Sequence, residues 1–437
     1  MRGWVDVITM GCSKNLVDSE RLLFQLRGLG FRVYHNPKKL HHDIAIVNTC
    51  GFIGAAKEES INMILELCEA KQRGQLKRVF VTGCLSERFM GELLKEIPEV
   101  DRYYGKFDYR QLLSDLSSGF PQGEEEGRIL STPRHYAYVK ISEGCNRQCG
   151  YCAIPIITGG HHSRPMEDVL REVETLARQK TKEFQVIAQE LTYYGLDLYG
   201  ERRLAQLVDR MADIKGVRWI RLHYGYPNGF PMDLLKVMRE RGNVCKYLDI
   251  ALQHASEGVL ERMRRHTTAL EQRRLIERLR EEVPGICLRT TMMVGYPGES
   301  DDEFRELLDF VKWARFERLG AFAYSEEEGT WAQQNLKDDV PAEVKQERLG
   351  RLMAVQQEIA EEVQRARVGK VLRVIIDGKE GEFWVGRTEW DSPEVDGEVM
   401  VKNKLPKRLR RGDMVDVKIT SSDEFDLYGE TLESTDE

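Results

Sequence analysis

The stretch "ISEGCNRQCGYCAIP" places Cys145, Cys149 and Cys152 within eight residues, with no fourth cysteine nearby. No other feature constrains this chain as strongly. A closed zinc site takes four protein ligands, usually as two cysteine pairs. Nine cysteines in 437 residues is an odd count and too few for a disulfide scaffold, so clustered thiols read as metal or redox ligands. A zinc knuckle completed by His161 or His162 is one reading. An iron–sulfur cube fits better, because thiolates hold each iron from outside and three ligands leave one iron open.

The remaining cysteines sort by context. Cys12, Cys50 and Cys84 follow the apolar runs "VITMG", "DIAIVNT" and "RVFVTG". These runs alternate with helical stretches, so they form a parallel sheet covered on both faces. Residues that follow such strands share the carboxyl edge, where parallel sheets bind ligands. Three cysteines at equivalent strand ends therefore converge on a site, although three buried apolar cysteines are the plainer alternative. Cys68, within "NMILELCEAK", and Cys245 and Cys287, at or before strand starts, are structural.

Three segments follow. The first, 1–120, is the α/β domain just described, and "SSGFPQGEEEGRILSTPRH" contains a linker over 121–133. In 134–367 six strand runs, from "YAYVKI" to "LGAFAY", alternate with helices, which predicts a partial (β/α)6 barrel. Cys145, Cys149 and Cys152 follow its first strand, on the face where barrels place their chemistry. In 368–437 short strands separated by Gly, Asp and Pro predict a small closed antiparallel barrel. No apolar run reaches the length of a membrane span, and the net charge of −7 opposes a generally nucleic-acid-coating surface. A cytoplasmic protein is expected.

The three-cysteine loop with Tyr151 before its last cysteine resembles the radical S-adenosylmethionine (radical-SAM) superfamily. With "GCSKNLVDSE", "VNTCGFI", "VTGC", "LQHAS" and "VGYPGES", the chain resembles the methylthiotransferase family from end to end. That resemblance implies a cluster domain, a radical-SAM barrel and a C-terminal TRAM domain. It implies that Cys145, Cys149 and Cys152 hold a [4Fe–4S] cluster whose open iron takes S-adenosylmethionine. Reductive cleavage then gives a 5′-deoxyadenosyl radical that abstracts hydrogen from an unactivated carbon. Cys12, Cys50 and Cys84 are expected to hold a second [4Fe–4S] cluster carrying the sulfur, and a second S-adenosylmethionine to supply the methyl group. Tyr151, Gln189, Gln253 and Gly295 are the expected cofactor-binding residues, with His254 beside them; support of the loops is the alternative role for the glutamines and histidine. Thr158 stands where the family commonly has a basic residue, which His161 or His162 could replace.

The family has a tRNA-adenosine branch and a RimO-type branch that methylthiolates the β-carbon of an aspartate in the small-subunit ribosomal protein numbered twelve. The tail, residues 370–437, holds 11 Lys plus Arg against 17 Asp plus Glu. Its acidity favours a basic protein over phosphates, although "KNKLPKRLRRG" could touch RNA. "VGRTEWDSPEVDGEV", "DEFDLYGE" and "QELTYYGLDLYG" look like the RimO-type branch. The expectation is thus a monomeric ribosomal-protein methylthiotransferase served by a low-potential donor such as flavodoxin or ferredoxin, with no membrane association. The tRNA enzyme and a non-catalytic zinc-binding adaptor are the alternatives.

Overall fold

The computed structural model describes residues 3–116, 127–406 and 408–432. Five parallel strands form the first sheet: β1 (Trp4–Thr9), β2 (Arg32–His35), β3 (Ile44–Thr49), β4 (Arg78–Gly83) and β5 (Arg102–Tyr103). Their order is β2-β1-β3-β4-β5. Period-two alternation explains the two-sided packing. Val5, Val7, Ile44, Ile46 and Phe80 face the helices Ser13–Gly28 and Tyr109–Leu116. Ala45, Val47, Val79 and Val81 face the helix Gly54–Gln72 and Leu93 of Cys84–Glu96. In this order the chain reverses direction across the sheet between β1 and β3, and ligands of such sheets sit at that crevice.

The second sheet holds β6 (Tyr136–Lys140), β9 (Glu183–Ile187), β10 (Trp219–Gly225), β11 (Val244–Ile250), β12 (Cys287–Val294) and β13 (Arg318–Ala323). A two-stranded pair, β7 (Ser142–Glu143) with β8 (His162–Ser163), frames the cysteine loop between β6 and β9. The six strands pair in parallel in the order β13-β12-β11-β10-β9-β6, so all six expected β/α units are present and the barrel is open.

The tail closes into a five-stranded barrel in the order β14-β15-β16-β18-β17: β14 (Val371–Glu380), β15 (Phe383–Arg387), β16 (Val399–Lys402), β17 (Met414–Ser422) and β18 (Leu427–Thr431). It is antiparallel except for β16 with β18, which run parallel. Cys245 and Cys287 are buried with Trp219, Tyr247 and Ile375 where this barrel meets the starts of the central strands. Cys68 is buried in the first domain's core.

Residues 121–126 of the expected linker lie outside the described residues. Its end is a strap rather than a free tether. Arg128 donates to Glu20 of the first domain at 3.1 Å and to Glu172 of the second at 2.5 Å. Glu20, fully buried, also accepts from Ser131 N–H and Oγ at 2.7 Å. On another side, Glu327 accepts from Gly54 N–H at 3.0 Å and pairs with Lys57 at 2.8 Å and Arg88 at 3.2 Å. The first domain is thereby clamped onto the barrel. Among the described residues no helix is long and apolar enough to cross a membrane.

Candidate active site

A cavity of about 330 Å³ lies between the first domain and the barrel, and all six singled-out cysteines line it. Cys12 caps the helix Ser13–Gly28, Cys50 directly follows β3, and Cys84 begins the helix after β4. Close approach depends on Gly11. With φ of +83°, it occupies the left-handed region, and a Cβ there would stand 2.8 Å from the Cys50 sulfur. Asn15 fixes the same corner by donating to the Met10 and Thr49 carbonyls at 3.1 and 3.0 Å. Its Oδ1 accepts from the Cys84 thiol at 3.6 Å.

Opposite, the loop after β6 carries the other three thiols. Arg147 N–H donates to Cys145 Sγ at 3.4 Å. Arg265 donates to Cys149 Sγ at 3.3 Å and to the Tyr151 hydroxyl at 3.2 Å, and stacks on Tyr226. Burial pushes the Cys84 and Cys145 thiols up to about 12 and raises Cys50 and Cys152 as well. Thiolates here need positive partners to form.

The donor chemistry fits iron–sulfur clusters. Six thiols ring one space, and cations sit against them: Arg265 at Cys149 and Lys106 3.9 Å from Cys84 Sγ. Among the described residues no three His, Cys, Asp or Glu side chains are gathered tightly enough for a bare ion. Among the described residues three buried side-chain oxygens on the cavity wall lack a hydrogen-bond partner, Gln189 Oε1, Gln253 Oε1 and Glu190 Oε2, as do the Nε atoms of Arg147 and Arg265. A polar ligand would satisfy them.

Of the residues expected from sequence, Tyr151, Gln189 and Gln253 line the cavity. Gly295 does not. Its φ is +70° and the space beside its Cα holds the Lys345 stem, 2.3 Å from where a Cβ would be, so it is glycine for local packing. His254 also turns away, with its Nε2 3.3 Å from Glu299. Thr158 lines the cavity, donating to the Ile154 carbonyl at 2.9 Å. His161, the offered substitute, is held by Ser163 at 3.1 Å, and His162 is exposed, so neither takes that place.

The sequence reading missed Lys14, Asn15, Lys106, Arg147, Glu190, Tyr226 and Arg265, all on the cavity wall. Lys106 crosses between domains, 3.1 Å from Glu143 and 3.7 Å from Asp18. Burial alone would raise Glu143, but Lys140 and Lys106 hold its carboxyl down at about 2. Glu143 in turn accepts from Gln189. The only signal that could have found any of these was proximity to a cysteine, as in "GCSKN"; Lys106 and Arg265 carry none.

A parallel open barrel bearing a three-cysteine loop, roofed by a cysteine-bearing α/β domain and followed by a small β-barrel, defines the radical-SAM class of enzyme. Residues 139–311 match the radical SAM superfamily, 368–432 the TRAM domain, and 4–105 the uncharacterized protein family UPF0004. The chain is 57% identical over 431 residues to the ribosomal protein uS12 methylthiotransferase RimO of Phocaeicola vulgatus, covering 99% of this chain and 100% of that one. With the RimO of Parabacteroides distasonis it shares 58% over 428 residues, 98% of this chain and 99% of the other. The chain belongs to the RimO family of methylthiotransferases. It is a radical-SAM enzyme, and that class works with S-adenosylmethionine and an iron–sulfur cluster. In fold it is similar to the radical S-adenosylmethionine methyltransferase TsrM from Kitasatospora setae (TM-score 0.54, 15% identity, 74% of this chain and 75% of that one). It is also similar to the cobalamin-dependent enzyme OxsB (TM-score 0.52, 14% identity, 81% and 56%).

Proposed function

We propose that this enzyme adds a methylthio group to ribosomal protein uS12, the protein its relatives are named for modifying, and that the acceptor is the β-carbon of an aspartate, as the resemblance to the RimO-type branch implies. Cys145, Cys149 and Cys152 would hold the cluster that engages S-adenosylmethionine, and Cys12, Cys50 and Cys84 a second cluster. The observation that carries this reading is that both trios line one cavity. Together these groups supply radical generation and the sulfur and methyl to be transferred. The protein's own part is to hold the thiolates, to balance their charge with Arg265 and Lys106, and to exclude water beneath the roof. Gln189 and Gln253 present unpaired oxygens to the bound cofactor or substrate. A low-potential flavodoxin- or ferredoxin-type donor would reduce a monomeric enzyme.

Anaerobic reconstitution tests this. The parent should bind about eight irons, as two [4Fe–4S] clusters require. A Cys12→Ala, Cys50→Ala, Cys84→Ala variant should bind about half, still release 5′-deoxyadenosine, and transfer no methylthio group to uS12. A variant retaining all its iron would reduce the upstream trio to core residues. Tight, steeply salt-dependent binding of naked tRNA would instead point to the tRNA branch.

A further inference from the structure

Four cations line the shared cavity: Lys14, Lys106, Arg147 and Arg265. Three have polar partners. Lys106 faces Glu143 and Asp18. Arg147 donates to the Asn228 carbonyl at 2.9 Å and lies 3.9 Å from Glu190. Arg265 donates to Cys149, Tyr151 and the Ala251 carbonyl. Lys14 differs. It is 8% exposed, and its ammonium lies over the Tyr224 ring, 3.0 Å from the centroid. Among the described residues it has no hydrogen bond or ion pair with an acid. Asp249, whose charge is felt there, is already paired with Arg289 at 3.6 Å and His223 at 3.8 Å.

A buried ammonium without a counter-ion is costly, and an aromatic face offsets only part of that cost. The cost is tolerated where a ligand supplies the missing charge. Lys14 sits two residues after Cys12, on the first domain, yet reaches Tyr224 at the end of β10 on the barrel. Tyr224 itself is held at a φ of +66°, and backbone strain of this kind collects at ligand sites. The ammonium therefore belongs to the wall of the same cavity that both trios of thiols line.

We propose that Lys14 is the specificity-determining residue that pairs with the side-chain carboxylate of the target aspartate and sets its β-carbon between the two cysteine trios. The assignment rests on the function proposed above, which makes the substrate an aspartyl side chain of a protein. Neutral or basic side chains gain nothing at this position. A charge-assisted pair in a dry site carries enough energy to discriminate Asp from Asn by about tenfold or more.

The test uses reconstituted holoenzyme at matched iron content and a uS12 fragment carrying either the target aspartate or asparagine in its place. Binding is read by fluorescence anisotropy and methylthiolation by mass. The parent should modify the aspartate fragment and bind it at least about tenfold more tightly than the asparagine one. Lys14→Met should bind the two equally, its loss appearing in KM for the aspartate fragment, and Lys14→Arg should restore much of the preference. Lys14→Gln, which keeps the side chain polar, should match Lys14→Met and serves should that variant fail to fold. If either neutral variant keeps the parental preference, or the parent shows none, the assignment of Lys14 is wrong. A parent that never modifies the fragment overturns the substrate reading instead, and this proposal with it.

Discussion

At the residue scale the site is governed by charge placed beside sulfur. Arg265 lies 3.3 Å from Cys149 Sγ and is fully buried against Tyr151 and Tyr226. A fixed positive charge beside a cluster favours its more negative, reduced form. Arg265→Met should therefore lower the midpoint potential of that cluster by roughly 30–60 mV, a threefold to tenfold shift in a one-electron couple. A potentiometric titration followed by electron paramagnetic resonance checks this, and an unchanged potential would leave Arg265 a packing role only. The six cysteines were legible because each stands in a local pattern, a strand end or a short loop. Arg265 was not: it reaches its sulfur across 116 residues of chain, and an arginine in "RMRRHT" has no spacing rule to mark it. Gly295 shows the converse, since a glycine after a strand looks like a place for close ligand approach, yet here it makes room for Lys345.

At the element scale, period-two and helical patterns were enough to read every main strand, because each buries its apolar residues by the rule that shapes its neighbours. The docking of elements was less visible. "VGRTEWDSPEVDGEV" carries part of the resemblance to the RimO-type branch, and much of it secures the tail barrel to the lower rim of the central sheet. Arg387 pairs with buried Glu183 at 2.7 Å. Arg318 pairs with Asp391, and Tyr247 donates to Asp396 at 2.8 Å. Burial would raise Glu183, but Arg387 and Arg221 outweigh it and hold the carboxyl down at about 2. A carboxyl depressed on folding contributes stability that is full above the ordinary carboxylate range and is lost as pH falls toward 2. Thermal melts should accordingly weaken between about pH 4.5 and pH 2. Glu183→Gln should lose about 3–5 kcal/mol at neutral pH, because Arg387 and Arg221 remain buried with a partner missing. A variant as stable as the parent at pH 7 would show that the pair is dispensable to docking.

At the scale of the whole molecule, these ion pairs change what the acidic tail means. Its excess of acids was an argument for a basic protein partner, yet Asp377, Asp391, Asp396 and Glu394 are engaged within the molecule, by Arg387, Arg318, Arg289 and the Tyr136 and Tyr138 hydroxyls. Part of the charge counted in the sequence is structural glue, and the substrate class rests more firmly on family membership than on net charge. The same glue predicts how the molecule comes apart. Surfaces between domains of one chain are usually modest and mobile. Here buried pairs cross both junctions: Glu20 with Arg128, Glu327 with Arg88, and Glu183 with Arg387. Being buried, they are poorly screened by salt. Calorimetry of the parent should show one cooperative transition, little changed between low and moderate ionic strength. Glu327→Gln should separate an earlier transition for the first domain, since Arg88, 4% exposed, loses its carboxylate and the start of the helix Gly54–Gln72 loses a charged acceptor. Three independent transitions in the parent would mean that the roof is not fixed, and that the six cysteines meet only when something bound between them draws the domains together.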